Sequence, residues 1–377
     1  MIRYLTAGES HGPMLTTIVE GLPAGLKLDI DQITHELRRR QHGYGRGRRM
    51  QIERDKAEIT SGLWRGRTIG SPITIVIRNQ DYKNWKNKRH QRQLVPRPGH
   101  ADLAGYLKYG FDDIQPVIER ASARETAART AAGTVAKQYL ACFGVKLYSH
   151  TRRIGPVVND KPVRFTPARI RTIETSPVRC ADKRIGQEMI EAIDHAIETK
   201  DTLGGVAEIV IAGVPVGLGS YVQWDRRADS RLAATLMSVP SVKAVAIGDA
   251  VAAAASAGSE VHDPIGYDKR KGFVTQSNNC GGILGGITTG AEIVLCAYFK
   301  PISTLGEPLD SMNLKSRKLT RALYVRSDTC IVPAGGVICE AAAALVFAYL
   351  FSEKFGGDSI AEALTNFRAY LKHVKSR

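Results

Sequence analysis

The sequence predicts an α+β fold with an internal repeat. Strand-like runs such as LTTIVEGLP (15–23) and AEIVIA (207–212) are each followed by a stretch in which apolar residues have helical spacing. The motif GLPAGL at 21–26 also recurs as GVPVGL at 213–218, about half the chain further on. A motif that recurs in the same structural context indicates an internal duplication.

The length of 377 residues allows two or three domains, or one large domain built from two halves. The repeated motif favours the second arrangement. We therefore expect a single domain over 1–377, with similar halves at about 1–200 and 201–377.

The first half begins with the strand 15–23 and continues with a helix over 31–40, in which Ile33 and Leu37 lie on one face. A second strand is predicted over 73–77 (ITIVI). Residues 81–99 have no apolar period and carry six lysines and arginines beside a tryptophan, so we predict a long basic loop.

An alanine-rich helix is predicted over 121–140. Its first turn contains Ser122, Arg124 and Glu125, and the free N–H groups at a helix start suit a phosphate. An ordinary capped helix is the alternative interpretation of this segment.

The second half has a helix over 228–237 and a glycine-rich turn region at 277–290, which leads into the strand-like AEIVLCAYFKPIST. A final helix over about 336–351 is apolar nearly all round, which predicts that it is buried.

Charge is the unusual feature of the composition. Lys and Arg total 53 against 37 for Asp and Glu, a balance of +16, which favours anionic partners. The 43% hydrophobic content excludes a disordered chain. The six cysteines include no CxxC pair, so we expect no metal site and a reducing, cytoplasmic compartment. The apolar run 341–351 is too short for a membrane span, and we expect no membrane association.

The segment RRRQHGYGRGRRM at 38–50 concentrates six arginines among alternating glycines, with no acidic residue. Arginine, glycine and Tyr44 together would suit single-stranded nucleic acid. The segment occurs once and lies between a helix and a strand, which favours bidentate clamps on a small phosphate- or carboxylate-bearing anion. A solvated surface is the third interpretation.

Two histidines are candidates for proton transfer. His11 (GESHGP) and His100 (RPGHAD) are each flanked by glycine and lie near charged residues in the sequence. Either could also be an ordinary loop histidine. The sequence has no Walker A, GxGxxG or HExxH motif to indicate another enzyme class, and it has no GxSxG elbow at a strand-to-helix turn to support a hydrolase.

These motifs together resemble the chorismate synthase family. The resemblance covers residues 8–337 and rests, in order, on GESHGP, RRRQHGYGRGRRM, RPGHADL, RASARETAARTAAGTVAK, SVKAVAIGD, GSEVHD, SNNCGGILGGI, KPIST and RSDTCIVPAGGV.

The resemblance implies a fold, a reaction and a cofactor. The fold is a β-α-β sandwich with internal pseudo-duplication, usually assembled as a homotetramer. The reaction is the 1,4-anti elimination of phosphate from 5-enolpyruvylshikimate 3-phosphate to give chorismate, with reduced FMN. NADPH bound by the chain or a separate flavin reductase would supply the electrons. We expect outside reduction, because the chain has no obvious reductase domain.

The resemblance also assigns site residues. His11 matches the group thought to protonate the departing phosphate, His100 lies near the flavin, and Asp328 helps to take the substrate proton. The substrate and NADP arginines are Arg40, Arg46, Arg49, Arg97 and Arg124. The flavin contacts are Arg120, Ala121, Ser122, Pro240, Ser241, Gly285, Lys300, Pro301, Ile302, Ser303, Thr304 and Arg326.

The sequence departs from the family pattern in two places. Pro240 and Ser241 stand where Asn-Ala is often found, and an alanine-rich stretch begins at Ala250 after the IGD motif. Neither change removes a charged or proton-carrying group, so we expect an active enzyme. A nucleic-acid-binding protein and a flavin-binding relative without catalysis are the alternatives.

Overall fold

The computed structural model describes residues 1–47, 53–87, 91–269, 272–324 and 328–377. Arg49 and Arg326, to which the resemblance assigns roles, lie outside these ranges, and so does Arg48 of the arginine-rich segment.

The described residues form both strands and helices, which confirms the α+β class. The strands are β1 (Arg3–Ala7), β2 (Met14–Glu20), β3 (Ala57–Ser61), β4 (Leu63–Trp64), β5 (Arg67–Thr68), β6 (Ile73–Arg78), β7 (Lys146–Ile154), β8 (Val157–Val158), β9 (Gly205–Ala212), β10 (Val242–Ile247), β11 (Ile265–Asp268), β12 (Gly272–Thr275), β13 (Ile283–Leu284), β14 (Ile287–Thr288), β15 (Ile293–Phe299), β16 (Asp310–Met312) and β17 (Leu319–Arg321).

The helices are α1 (Ile30–Gln41), α2 (Tyr82–Trp85), α3 (Asp102–Tyr109), α4 (Gln115–Ala121), α5 (Thr126–Ala141), α6 (Pro167–Thr175), α7 (Lys183–Glu198), α8 (Ala228–Met237), α9 (Ala250–Ala253), α10 (Gly258–Val261), α11 (Val332–Phe355) and α12 (Ile360–Lys375). Short 3-10 turns lie at Ala123–Glu125 and Trp224–Arg226.

Two antiparallel sheets hold most of the strands. One has the order β1-β2-β6-β3, and the other has the order β10-β15-β9-β7-β8. In β6, Ile73, Ile75 and Ile77 are buried while the residues between them are only partly covered. This period of two presents one apolar face of the first sheet to the helices.

Two helices connect the sheets. Helix α5 packs on β2 and β6 of the first sheet, and α11 packs on β7 and β9 of the second. The two helices also pack on each other. A Cβ placed on Gly133 of α5 would lie 2.5 Å from the Ala341 Cβ of α11, so the absence of a side chain allows this close approach.

The two copies of the repeated motif have the same backbone geometry. Gly21 and Gly25 have φ of 82° and 86°, and their counterparts Gly213 and Gly217 have 82° and 90°. The hydrogen bonds also match: the Thr68 hydroxyl donates to the Pro23 carbonyl at 2.6 Å, and the Thr288 hydroxyl donates to the Pro215 carbonyl at 2.7 Å.

The connectivity around the repeated motif also corresponds. In each copy a short hairpin, β4-β5 or β13-β14, leads into a central strand, β6 or β15. Strands β7 and β8 belong to the second sheet and precede the second copy of the motif in the chain.

Helix α11 is the longest helix of the described chain, extending the predicted 336–351 to Val332–Phe355. Its length and hydropathy would allow it to cross a membrane. The apolar run 341–351 had predicted a segment too short to do so. However, 94% of its most apolar window is buried inside the fold. Such burial is typical of a core helix, and it agrees with the predicted apolar surface on all sides.

Two further predictions need correction. The predicted helix 121–140 is divided: α4 ends at Ala121, a 3-10 turn spans Ala123–Glu125, and α5 begins at Thr126. Ser122 is extended, and its side chain accepts from the Arg124 N–H, so it separates the two helices. The predicted loop 81–99 contains the one-turn helix α2, within the residues described there.

Candidate functional site

A cavity of about 560 Å³ lies between the end of α4 and the segment after α8. Arg120, Ala121 and Ser122 form one wall, and Pro240 forms part of another. These four were predicted as flavin contacts from distant parts of the chain. The remaining lining residues are Tyr4, Leu5, Thr6, Glu125, Arg129 and Ser238. Guanidinium and hydroxyl groups therefore dominate the polar surface of the cavity.

A buried arginine pair lies next to this wall. Arg40 donates from Nε to the Thr126 hydroxyl at 2.9 Å and from Nη2 to the Ala123 carbonyl at 3.0 Å. Arg124 binds both oxygens of Asp55, at 2.8 and 2.7 Å. Burial lowers the pKa of Arg40 to about 9, Asp55 opposes this change, and Arg124 reinforces it. The two guanidinium groups therefore share the Asp55 carboxylate, and the buried Glu53 carboxylate lies 3.7 Å from Arg124 Nη2.

Arg46 brings the glycine- and arginine-rich loop to the same place. Its Nη1 lies 2.8 Å from Asp328 Oδ2, and the Gly47 N–H donates to Asp328 Oδ1 at 2.6 Å. The Thr329 N–H donates to the Gly45 carbonyl at 2.7 Å. Contacts of Asp328 and Thr329 thus hold the glycine- and arginine-rich loop in place at Gly45, Arg46 and Gly47.

Some buried guanidinium nitrogens are not satisfied by the protein. Arg40 Nη1 lies 3.7 Å from Asp55 Oδ2, too far for a hydrogen bond, although only 4% of its side chain is exposed. Arg46 Nε likewise has no hydrogen-bond partner within the described chain. Buried donors without acceptors are costly, so they indicate a place where an anion completes the site.

His11 lies in the turn between β1 and β2 and is held by Glu119 of α4. The His11 N–H donates to Glu119 Oε2 at 2.7 Å, and Nδ1 lies 2.7 Å from Glu119 Oε1. The Trp85 ring stacks on the imidazole, with the ring centroids 3.8 Å apart. The neighbouring Ser10 hydroxyl donates to the Ser122 hydroxyl at 3.1 Å, which joins this turn to the cavity wall.

Asn79 joins the His11 turn to the buried arginines. Its amide nitrogen donates to the Gly12 carbonyl at 2.8 Å and to the Glu9 carbonyl at 3.1 Å. Its amide oxygen accepts from Arg124 Nε at 2.9 Å. The position of His11 is therefore coupled to that of Arg124 through one side chain.

His100 belongs to a second ionic group. Its Nδ1 contacts Asp102, whose carboxylate also binds Arg97 Nε at 2.8 Å and Nη2 at 3.0 Å. Burial opposes ionisation of Asp102, but hydrogen bonds from His100 and Arg97 outweigh it, so the pKa of Asp102 lies well below its usual range. Asp102 is therefore an anion that fixes the Arg97 guanidinium and the His100 ring.

The segment Lys300 to Thr304 packs against this group. Lys300 Nζ donates to the Gly99 carbonyl, and Arg97 Nη1 lies 3.5 Å from the Thr304 hydroxyl. Burial lowers the pKa of Lys300, and the Lys243 charge adds to this effect. The structure thus places Lys300 and Thr304 against Gly99 and Arg97, next to His100 in the chain.

Ser241 links this segment to the cavity. It has φ of 72°, a left-handed conformation that is uncommon for serine, and its carbonyl accepts from the Lys300 N–H at 2.9 Å. Pro240 lines the cavity directly beside it. The backbone of 240–241 therefore connects the cavity wall with the segment at Lys300.

Gly285 is not brought to this cavity. It lies in the β13-β14 turn, and the next carbonyl, that of Gly286, accepts from the Ala228 N–H at the start of α8. Ser238 and Pro240, which line the cavity, follow the other end of α8. Because a helix of ten residues is roughly 15 Å long, Gly285 is separated from these two residues by about the length of α8.

The alanine-rich stretch from Ala250 forms α9 on the surface and does not line the cavity.

Sequence reasoning missed several members of the site. Glu119, Asp55 and Asn79 are single polar residues outside the quoted motifs, and the positions of Glu119 and Asn79 follow from contacts with residues 108 and 45 positions away. Two signals were present in the sequence: Glu119 directly precedes the predicted contacts 120–122, and Arg129 lies within the motif RASARETAARTAAGTVAK. Within the described residues, no cluster of three or more His, Cys, Asp and Glu could hold a metal ion.

Comparisons with known proteins agree on one family. The family model described as chorismate synthase matches residues 2–351. A chorismate synthase of Symbiobacterium thermophilum is 48% identical over 391 residues, covering 100% of both chains. One of Carboxydothermus hydrogenoformans is 48% identical over 382 residues, covering 99% of each. A crystal structure of a chorismate synthase superposes with a TM-score of 0.83 at 40% identity, covering 100% of this chain and 99% of the other.

Proposed function

The chain belongs to the chorismate synthase family of lyases, and on that basis we propose that it converts 5-enolpyruvylshikimate 3-phosphate to chorismate and phosphate by an FMN-dependent 1,4-anti elimination. One C–H bond and one C–O bond of the substrate break, a carbon–carbon double bond forms, and no net oxidation occurs. This reaction is part of the shikimate pathway of aromatic amino acid biosynthesis.

The observation that carries the proposal is the group of buried guanidinium donors beside the cavity. Arg40 Nη1 and Arg46 Nε lack protein acceptors among the described residues. The substrate has two carboxylates and a phosphate, which are the partners that planar guanidinium groups bind best. We propose that Arg40, Arg46 and Arg124 hold these anionic groups. Arg49, predicted for the same role, lies outside the described residues.

The cavity fits a flavin mononucleotide. A volume of about 560 Å³ is within the range of cofactor sites, and Arg120, Arg129 and the hydroxyls of Thr6, Ser122 and Ser238 could bind a phosphate and a polyol chain. We propose that these residues and the segments 240–241 and 300–304 hold FMN. When bound and reduced, FMN would supply transient electron donation to the substrate.

The proton carriers have distinct roles. We propose that His11 donates a proton to the departing phosphate, which makes phosphate a better leaving group. Asp328, held by Arg46 and the Gly47 N–H, is proposed to help to remove the substrate proton. His100, oriented by Asp102, is proposed to place positive charge near the reduced cofactor.

The layering described above supports a proposal for the whole chain. We propose a β-α-β sandwich of two related halves, with α5 on one sheet and α11 on the other. The matching glycine φ angles and threonine hydrogen bonds support common ancestry of the halves. Superposition of 3–78 on 146–299, strand by strand, would test this relation.

We also propose a homotetramer that receives electrons from a separate flavin reductase in the cytoplasm. All six cysteines are unpaired, as expected in a reducing compartment. Light scattering coupled to size-exclusion chromatography would give the oligomeric state. Anaerobic incubation with FMN and NADPH, without a reductase, would show whether the chain reduces its own flavin.

The reaction is tested by phosphate release from 5-enolpyruvylshikimate 3-phosphate under anaerobic conditions. We expect release, together with the absorbance of chorismate, with reduced FMN and none with oxidised FMN. Tight FMN binding without release would instead identify a flavin-binding relative that lacks catalysis. Absence of both would overturn the proposed function.

The nucleic-acid interpretation has a separate test. Arg40 is buried, and Arg39 is held by Glu36, Glu174 and Glu340, so neither is turned toward solvent, whereas Arg38 is exposed. Contacts with a nucleic-acid backbone need accessible cations and weaken steeply with salt. Oligonucleotide binding measured across a salt series would show whether the arginine-rich segment binds nucleic acid.

A further inference from the structure

We propose that Glu119 is the positioning residue for His11, which it holds in one orientation with the ring proton on Nδ1. This inference rests on the proposed function, in which His11 donates a proton to the departing phosphate. Glu119 does not touch the reacting atoms and acts through the imidazole.

The first argument is that Glu119 contacts His11 at two points. One oxygen of Glu119 accepts from the His11 backbone N–H, and the other contacts Nδ1, both at 2.7 Å. The same carboxylate thus fixes the backbone and the ring of one residue, which restricts both side-chain torsions. Gln115, one turn earlier on α4, donates to Glu119 Oε1 at 2.6 Å and so fixes the carboxylate itself.

The second argument is the contact on the ring face. Trp85 stacks on the imidazole with an interplanar angle of 27°, and its Nε1 donates to Asp81 Oδ2 at 3.0 Å. Glu119 holds the ring in its plane and Trp85 covers one face, so the imidazole cannot rotate without losing both contacts. The Nε2 edge, opposite Glu119 across the ring, is therefore directed as well.

The third argument is the charge of Glu119. Burial opposes its ionisation, but hydrogen bonds from the His11 ring and backbone outweigh this effect, and the pKa of Glu119 lies below its ordinary value. An ionised carboxylate can only accept hydrogen bonds, so Nδ1 must be the donor. Nε2 is then the nitrogen that gains and loses a proton during turnover.

The position of Glu119 in the fold connects its contact with His11 to the cavity. Glu119 lies on α4 directly before Arg120, Ala121 and Ser122, which line the cavity. The Glu119 carbonyl also accepts from the Ser10 N–H at 3.1 Å. One helix end therefore sets the placement of His11 relative to the cavity wall.

A kinetic test uses Glu119→Gln, which keeps the shape and removes the charge, and Glu119→Asp, which keeps the charge. We expect Glu119→Gln to lower kcat by on the order of 100-fold with little change in KM, because a neutral amide can also donate to Nδ1 and favour the wrong tautomer. Glu119→Asp should restore part of kcat. An unchanged kcat in Glu119→Gln would overturn the proposal.

A double-mutant cycle separates positioning from general stability. If Glu119 acts through His11, Glu119→Gln should cause no further loss of kcat in a His11→Ala background. Losses that multiply would show that Glu119 acts elsewhere. Glu208→Gln is the matched control, since it weakens another carboxylate–histidine contact, to His150 at 3.1 Å, outside the site and should leave kcat unchanged.

A spectroscopic test needs no turnover. Nitrogen-15 NMR of histidine-labelled protein distinguishes the two tautomers, and His11→Ala assigns the signal. We expect the Nδ1–H form in the wild-type protein and a shift toward the Nε2–H form in Glu119→Gln. An identical His11 signal in the wild-type protein and in Glu119→Gln would contradict the proposal. If the wild-type protein released no phosphate, the proposed function would fail, and this spectrum would still decide the role of Glu119.

Discussion

At the residue scale, the site depends on carboxylates that hold cationic or titratable side chains in place. Glu119 holds His11, Asp102 holds His100 and Arg97, and Asp55 holds Arg124. Each carboxylate is largely shielded from solvent, and charge-assisted hydrogen bonds are strongest there. The result is a site with fixed histidines, in which Arg40 Nη1 and Arg46 Nε have no hydrogen-bond partner among the described residues.

His11 gives the first prediction at this scale. His11→Ala should lower the rate of phosphate release by about 100- to 10,000-fold, because it removes the proposed proton donor. FMN affinity, followed by flavin absorbance, should not change, since His11 is not among the cavity residues.

The control for this variant is His35→Ala, which changes an exposed histidine on α1 and should keep full activity. Undiminished turnover in His11→Ala would remove His11 from the mechanism.

At the element scale, the contact between α5 and α11 decides how closely the two sheets approach. Gly133 faces Ala341, where an added Cβ would lie 2.5 Å from both the Cβ and the carbonyl oxygen of Ala341. A backbone contact of this kind cannot be relieved by a rotamer change. The helices must separate if the glycine is replaced.

Gly133→Ala should therefore destabilise the protein by about 1–3 kcal/mol, through overpacking. Helix propensity alone would give the opposite sign, by about 0.5–1 kcal/mol. Urea unfolding followed by circular dichroism measures the difference.

The matched control is Gly186→Ala in α7, where a Cβ would have its nearest neighbours at 3.4 Å or more. This control should be neutral or stabilising. Equal effects of the two variants would contradict the packing argument.

At the scale of the whole molecule, a buried ion network joins separate parts of the fold. Glu340 of α11 is fully buried and binds Arg39 of α1 and Lys137 of α5, at 2.9 and 2.5 Å. Glu174, at the end of α6, binds Arg39 and Arg179. Removal of one charged side chain from such a network is costly, because it leaves another buried charge uncompensated.

This network predicts a loss of stability in acid. Burial opposes ionisation of Glu174, but hydrogen bonds from Arg39 and Arg179 lower its pKa from 4.5 to about 2. Because the folded-state pKa is depressed, the stabilisation is fully present above the unfolded value and is lost as pH falls toward 2. Glu174→Gln should remove about 1–2 kcal/mol at neutral pH, allowing for partial exposure, and make the decline shallower.

Urea unfolding at several pH values between 2 and 7 would measure this decline. Glu188→Gln, on the solvent side of α7, is the control and should follow the wild-type curve. A parallel curve for Glu174→Gln would show that Glu174 does not contribute to the acid sensitivity.

The sequence by itself determined the local elements and the chemical type of the site. Periodicity placed helices at 31–40 and 228–237 close to their observed bounds, and strand 73–77 became β6. The arginine-rich segment predicted a concentration of positive charge, and Arg40 and Arg46 of this segment lie close enough to interact with Arg124 and with each other. These features are encoded by residue type and spacing, which operate over a few neighbouring positions.

Only the tertiary structure decided which side chains meet. Glu119 reaches His11 across 108 positions, and Arg39 reaches Glu340 across 301. The division of the predicted helix at Ser122 and the location of Gly285 away from the cavity were also decided there. Contacts of this range depend on how the sheets and helices pack, and one sequence carries no periodic signal for them.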